Sequence, residues 1–278
     1  MKKRHFKNLL ANNKWLKKLP NFLTICNSLC GFAAILYTLH VYDNNGSSTE
    51  ALTVSAWIIM FAMVFDALDG FAARIFNAAS MKGLQMDSLS DMVTFGVAPA
   101  VMVAVMAHRM KACDTLFTPH DYILIWGITG IYLGCAALRL AAYNVNAIWP
   151  SGNHDSNYFH GLPSPGAAAA VASMIIYFNN SSEEIKHLTY SLPLYAATLG
   201  LLMISNIQYV HAGRWLLSIR RNKQRLFLFF IIMLSIAIWH TSGVIFWVNI
   251  YIFSGPVIAV LKRLGILKKK TPAGNALT

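Results

Sequence analysis

Charge is what this chain has least of. Only 12% of its 278 residues are Asp, Glu, Lys or Arg, against roughly 25% in an average soluble domain. A water-facing surface cannot be built from so few charges. Disorder is excluded by the 56% of hydrophobic residues, because disordered chains are poor in them. Acidic residues are the scarcer sign, 11 against 23 basic ones, for a net charge of +12. Cysteine is confined to Cys26, Cys30, Cys113 and Cys135, too few and too scattered for a disulfide framework. The nine histidines form no metal-ligand pattern. The basic start, residues 1–19, is followed by no cleavage signal, so no removable leader is expected.

Long apolar runs fill the space that charge leaves. A membrane helix takes about 20 largely apolar residues, and eight stretches qualify as candidates: 22–40, 51–71, 92–107, 122–143, 164–178, 189–210, 226–240 and 243–261. The third, fifth and seventh are short. Only His240, Thr241, Ser242 and Gly243 separate the last two, so six or seven spans stand as alternatives. The expected fold is therefore an all-α polytopic transmembrane helical bundle of about eight spans. It divides into a basic amphipathic N-terminal segment (1–20), a transmembrane domain (21–261) and a basic tail (262–278).

With the N-terminus inside, all basic residues except Arg109, Lys111 and Lys186 fall on the cytoplasmic side, and both termini are cytoplasmic. The basic runs alternate with apolar stretches, which fits topology and anionic-lipid contact better than nucleic acid. In the first segment, Phe6, Leu9, Leu10, Trp15, Leu16 and Leu19 are interleaved with lysines. That pattern suits either an amphipathic helix lying in the interface or a plain basic tail that fixes orientation.

Against this background four of the eleven acidic residues, Asp66, Asp69, Asp87 and Asp91, fall within one short stretch. Each carboxylate at a membrane helix centre costs about 2.5–3.5 kcal/mol on insertion scales, so the group requires water or cations. The expected topology puts all four at the cytoplasmic rim, where the second span leaves the hydrocarbon and the third enters it. Asp66 and Asp69 share one helical face, Asp87 and Asp91 another. Arg74 and Lys82 are the only cations in the stretch. An all-carboxylate donor set suits Mg²⁺ or Mn²⁺ rather than zinc, and two such ions are the usual clamp for displacement at phosphorus. Arg74 adds a fork that matches phosphate oxygens.

The spacing Asp66-x2-Asp69-Gly70-x2-Ala73-Arg74-x8-Gly83-x3-Asp87-x3-Asp91 resembles, at every fixed position, the signature of the CDP-alcohol phosphotransferase family. The resemblance implies an integral membrane enzyme that moves a phosphatidyl or phosphoalcohol group from a CDP-linked donor to an alcohol, with release of CMP. It implies metal binding by Asp66, Asp69 and Asp87, with Asp91 near the metals and acting as general base. It further implies donor contacts from Gly70 and Arg74, from Ser80, and from Asn21 and Thr24 at the start of the first span. For Asn21, a helix N-cap is the alternative.

Three further stretches resemble the branch of the family that uses serine: the run from Leu19 to Gly31, the run from Asp87 to Pro99, and Arg139-Leu140-Ala141 with Asn144 and Phe159 to Pro165. The sequence departs from that branch at Ala142 and Tyr143. This resemblance implies CDP-diacylglycerol and L-serine as substrates, a bacterial-type cytoplasmic membrane and, as is common in the family, a homodimer. Arg139 is either a phosphate- or acceptor-binding residue or an anchor that marks the inner face. Glycerol phosphate, inositol phosphate and choline remain alternative acceptors. A transporter or non-catalytic cation-binding protein is the alternative class, although transporters place their sites near the bilayer midplane.

Overall fold

The structure, a computed structural model, describes residues 16–42, 48–76, 78, 80–112, 119–149, 158–181, 187–210 and 223–264. Most of the N-terminal segment and of the C-terminal tail lies outside them. Eight α-helices account for most of the described chain: α1 Leu19–Leu39, α2 Ser48–Ile75, α3 Met81–Asp91, α4 Ala98–Ala112, α5 Pro119–Ile148, α6 Ser164–Asn180, α7 Leu192–Ile204 and α8 Lys223–Arg263. A π-helical turn, Met92–Val97, joins α3 to α4. Among the described residues, five helical runs are long and apolar enough to cross a membrane: Leu16–Leu39, Glu50–Ile75, Met81–Arg109, Tyr122–Ile148 and Ser242–Leu261. The chain is an all-α, multi-pass membrane protein.

Helix α1 shows how such a fold inverts the soluble pattern. Its buried residues are Pro20, Thr24, Asn27, Gly31, Ala34 and Thr38, small or polar side chains at alternating steps of four and three. The outward stripe carries Phe22, Ile25, Leu29, Phe32 and Leu36, with Phe22 61% and Leu29 60% exposed. Lipid gives no drive to hide large apolar side chains, so helices associate through small residues and interhelical hydrogen bonds. Gly31 permits the closest approach. A Cβ there would lie 2.7 Å from Thr94 Cα.

Helix α6, with its Ser-Pro-Gly-Ala start and alanine run, is buried along most of its length and packs against α2, α7 and α8. Together with Leu52, Ile59, Phe95, Met102 and Leu199 its residues form the main core. The helical run that holds the third candidate span starts at Met81, well before residue 92, because Ser80 caps it: its Oγ accepts from the Gly83 amide at 3.0 Å. Helix α5, which holds the fourth candidate span, runs on to Ile148, past the apolar limit at 143. The sixth candidate stretch is only partly helical. Ser205 leaves α7 in extended conformation, and Gln208–Val210 (β2) pairs antiparallel with Tyr158–His160 (β1).

Helix α8 is not one straight rod. Trp247 Nε1 donates to Ser235 Oγ at 3.1 Å, whereas twelve residues of straight helix span about 18 Å. The run therefore folds back between these two residues, in the stretch containing His240, Thr241, Ser242 and Gly243.

Candidate active site

Helices α2 and α3 carry the aspartates, and their packing brings one oxygen each of Asp66, Asp69 and Asp87 within 4.8 Å of one another. Asp91 follows one turn beyond Asp87 and is buried. Carboxylates this close need a shared positive charge. A hard divalent cation fits: Mg²⁺–oxygen bonds of about 2.0–2.1 Å place opposite ligands roughly 4.2 Å apart, the scale of the cluster. Neither Cys nor His belongs to it.

The facing side of α1 holds the carboxylates in place. Thr24 Oγ1 donates to Asp69 Oδ2 at 2.8 Å, and Asn27 Nδ2 donates to Asp91 Oδ1 at 3.3 Å. Two main-chain carbonyls of α1 are used as well: Ser90 Oγ donates to Thr24 O and Thr94 Oγ1 to Asn27 O, both at 2.9 Å. Asn27 is 0% exposed, and its Oδ1 has no partner among the described residues. A carboxylate only accepts, so the amide nitrogen is the end that faces Asp91.

Beside the cluster lies an open cleft of about 180 Å³. Asn21, Thr24, Gly70 and Ser80 line it, with Asp69 and Asp87 at its carboxylate side. Four of the five residues expected to contact the donor are thus brought together. The fifth, Arg74, is exposed, and its Nε donates to Gly70 O at 2.9 Å. The alternative of an N-cap at Asn21 is ruled out: α1 starts at Leu19, with Lys18 at its N-cap and Pro20 in its first turn. The proline starts the helix earlier than the apolar pattern does.

Arg139 stands on α5, outside the residues that line the cleft. Its Nη1 donates to Ser164 Oγ at 2.8 Å, and its Nε is buried without a partner among the described residues. On the same helix Asn144 Oδ1 accepts from Ser88 Oγ at 2.8 Å, which ties α5 to α3 between Asp87 and Asp91. Sequence reading named Asn27, Ser88, Asn144 and Ser164 only as parts of longer stretches. Asn27 had a usable signal, a polar residue three after Thr24 and four before Gly31 on an apolar helix.

Similarity to known proteins covers the stretch that holds these residues. The CDP-alcohol phosphatidyltransferase family matches residues 17–204. The chain is 28% identical over 192 residues to a CDP-diacylglycerol–serine O-phosphatidyltransferase of Helicobacter pylori, covering 68% of this chain and 70% of the relative. It is 30% identical over 193 residues to an archaetidylserine synthase of Methanothermobacter thermautotrophicus, covering 69% of each. A CDP-diacylglycerol–serine O-phosphatidyltransferase of Saccharomyces cerevisiae is 31% identical over 159 residues, 56% of this chain and 52% of the relative.

Proposed function

The chain belongs to the CDP-alcohol phosphatidyltransferase family, and from that premise we propose that it transfers the phosphatidyl group of CDP-diacylglycerol to the hydroxyl of L-serine. The products are phosphatidylserine and CMP. The observation that carries this reading is the convergence of three carboxylates within 4.8 Å beside a cleft lined by Asn21, Thr24, Gly70 and Ser80. The names of the relatives supply the acceptor.

The cleft residues Asn21, Gly70 and Ser80 receive the CDP portion, and the side chain of Arg74 swings from its own helix onto the phosphates. Asp66, Asp69 and Asp87 hold Mg²⁺ or Mn²⁺, which when bound neutralises the diphosphate and the departing CMP. Thr24 fixes one oxygen of Asp69 and so sets the angle at which the other is presented. Asp91 is the general base. It takes the hydroxyl proton of serine as the oxygen bonds to the phosphorus next to diacylglycerol, and the bond from that phosphorus to CMP breaks. Asn27 keeps Asp91 in register by holding Oδ1. Arg139 offers an anion site to the acceptor. The basic residues bias the site toward the cytoplasmic face of the membrane, where CMP is released.

The test is CMP release by purified protein given CDP-diacylglycerol, divalent metal and, in turn, L-serine, glycerol phosphate, inositol phosphate and choline. Metal-dependent release with serine, accompanied by phosphatidylserine, is expected. Preference for another alcohol replaces the acceptor, and no release with any of them from folded, metal-loaded protein overturns the reading.

A further inference from the structure

A second hollow lies away from the carboxylates. It is an open groove of about 490 Å³ between the chain leaving α7 and the last turns of α8, and its walls include Asn206, Ile207, Pro256, Ala259, Val260 and Arg263. The cleft beside the aspartates is smaller, about 180 Å³, and shares no residue with it.

One tyrosine fixes both walls. Pro256 sits inside α8 and has no N–H to give the carbonyl of Ile252, one turn back. Tyr209 of β2 takes that place: its OH donates to Ile252 O at 3.1 Å, and the residue is 1% exposed. Gly255 makes room for the ring, since any Cβ there would collide with it. Ile207 directly precedes β2, and its carbonyl accepts the Gly161 amide at 2.8 Å. The wall that carries Asn206 and Ile207 is therefore tied to α8 on one side and to the turn before α6 on the other. The groove is a fixed feature of the fold, not a gap beside a loose helix end.

Its chemistry changes along its length. Pro256, Ala259, Val260 and Arg263 share one face of α8, and the helix rises about 10 Å from the proline to the guanidinium. The apolar run Ser242–Leu261 ends just short of Arg263, which puts the apolar length of the groove in hydrocarbon and the guanidinium at the level of the headgroups. No acidic residue lines the groove. No Asp or Glu follows Glu184 in the sequence, whereas Lys262, Lys268, Lys269 and Lys270 flank Arg263. A matching ligand is apolar for about 10 Å and anionic at one end, which describes an acyl chain and its phosphate. A phosphocholine headgroup brings its own cation; an anionic phospholipid leaves its charge for Arg263. Asn206, on the opposite wall, offers an amide donor to the same headgroup.

We infer that this groove binds an anionic membrane phospholipid, with one acyl chain along Pro256, Ala259 and Val260 and the phosphate on Arg263 and Asn206. The occupant is a resident lipid rather than a substrate, and the site stands whatever reaction the aspartates perform.

The test titrates delipidated full-length protein in a neutral detergent with phosphatidylglycerol or with phosphatidylcholine of the same acyl chains, reading the lipid retained and the unfolding temperature. A lipid that binds only the folded groove raises that temperature. Phosphatidylglycerol should bind about fivefold more tightly than phosphatidylcholine, the scale of one basic residue beside anionic lipid. Arg263→Gln should bring the two lipids level, and Ala259→Trp, which fills the groove, should lose both. Replacing Lys268, Lys269 and Lys270 together by Gln should leave the preference in place. Equal affinity of the wild type for the two lipids overturns the anionic assignment. A preference that survives Arg263→Gln but vanishes in the triple lysine variant places the attraction in the tail and overturns the groove. Protection by inorganic phosphate alone, equal to that by phosphatidylglycerol, overturns the acyl chain. Should Ala259→Trp fail to fold, Arg263→Gln decides, because that side chain is exposed. None of these readouts uses CMP release, so a failure here and a failure of the phosphatidyltransferase reading are distinguishable.

Discussion

Asp91 and Asn27 form a pair that mutation can separate. Asp91→Asn removes the base but keeps the shape, and turnover is expected to fall by about 10²–10⁴-fold with an unchanged melting temperature; near-normal CMP release by that variant would falsify the assignment. Asn27→Leu is the contrasting case. It removes the donor to Asp91 and also an amide oxygen buried without a partner among the described residues, a group that costs about 1–3 kcal/mol when unsatisfied. The variant should therefore lose kcat without losing thermal stability. A fall in both, measured by turnover and thermal unfolding in the same detergent, would show that Asn27 serves the fold more than the base. The aspartates were legible in the sequence because their spacing on single helices fixes a shared face. Asn27 was not, because periodicity tells which side of a helix a residue is on, not that its partner sits 64 residues away.

Between elements, a few contacts carry the alignment of α1, α3 and α5. Pro99 has no N–H to reach back to Phe95 O, and Tyr132 OH of α5 donates to that carbonyl at 2.8 Å. The π turn is thereby tied from outside its own helix just past Asp91. Tyr132→Phe removes this hydrogen bond, so about 0.5–1.5 kcal/mol of stability should be lost, read as a lower unfolding midpoint. Gly31→Val drives a side chain into Thr94 and should separate α1 from the π turn, reducing turnover and stability together; a stable, active variant would refute the close seam. The limits of sequence reading lie at this scale. Hydropathy ended the fourth span at 143 because Asn144 and Asn146 are polar, yet the helix runs to Ile148. Polar Asp87 and Asp91 hid the start of α3 for the same reason. The β2 strand was read as apolar span because Ile207, Tyr209 and Val210 suit either state, and only the Ser205 break and its pairing with β1 decide.

For the whole molecule, cation binding and fold are linked through the cluster. Chelation should abolish CMP release and lower the unfolding temperature, and Mg²⁺ or Mn²⁺ should restore both; zinc, which prefers Cys and His ligands, should restore neither. Recovery with zinc as complete as with Mg²⁺ would count against an all-oxygen site. The inside-out build of α1 has a consequence for descent as well. Phe22, Ile25, Leu29, Phe32 and Leu36 face outward, where any oily side chain of similar length serves, so lineages are free to exchange them. Thr24, Asn27, Gly31 and Ala34 face the seam and have no such substitutes. Divergence should then accumulate on the oily stripe, and a relative with 28% identity over 192 residues can still keep its working face nearly letter for letter.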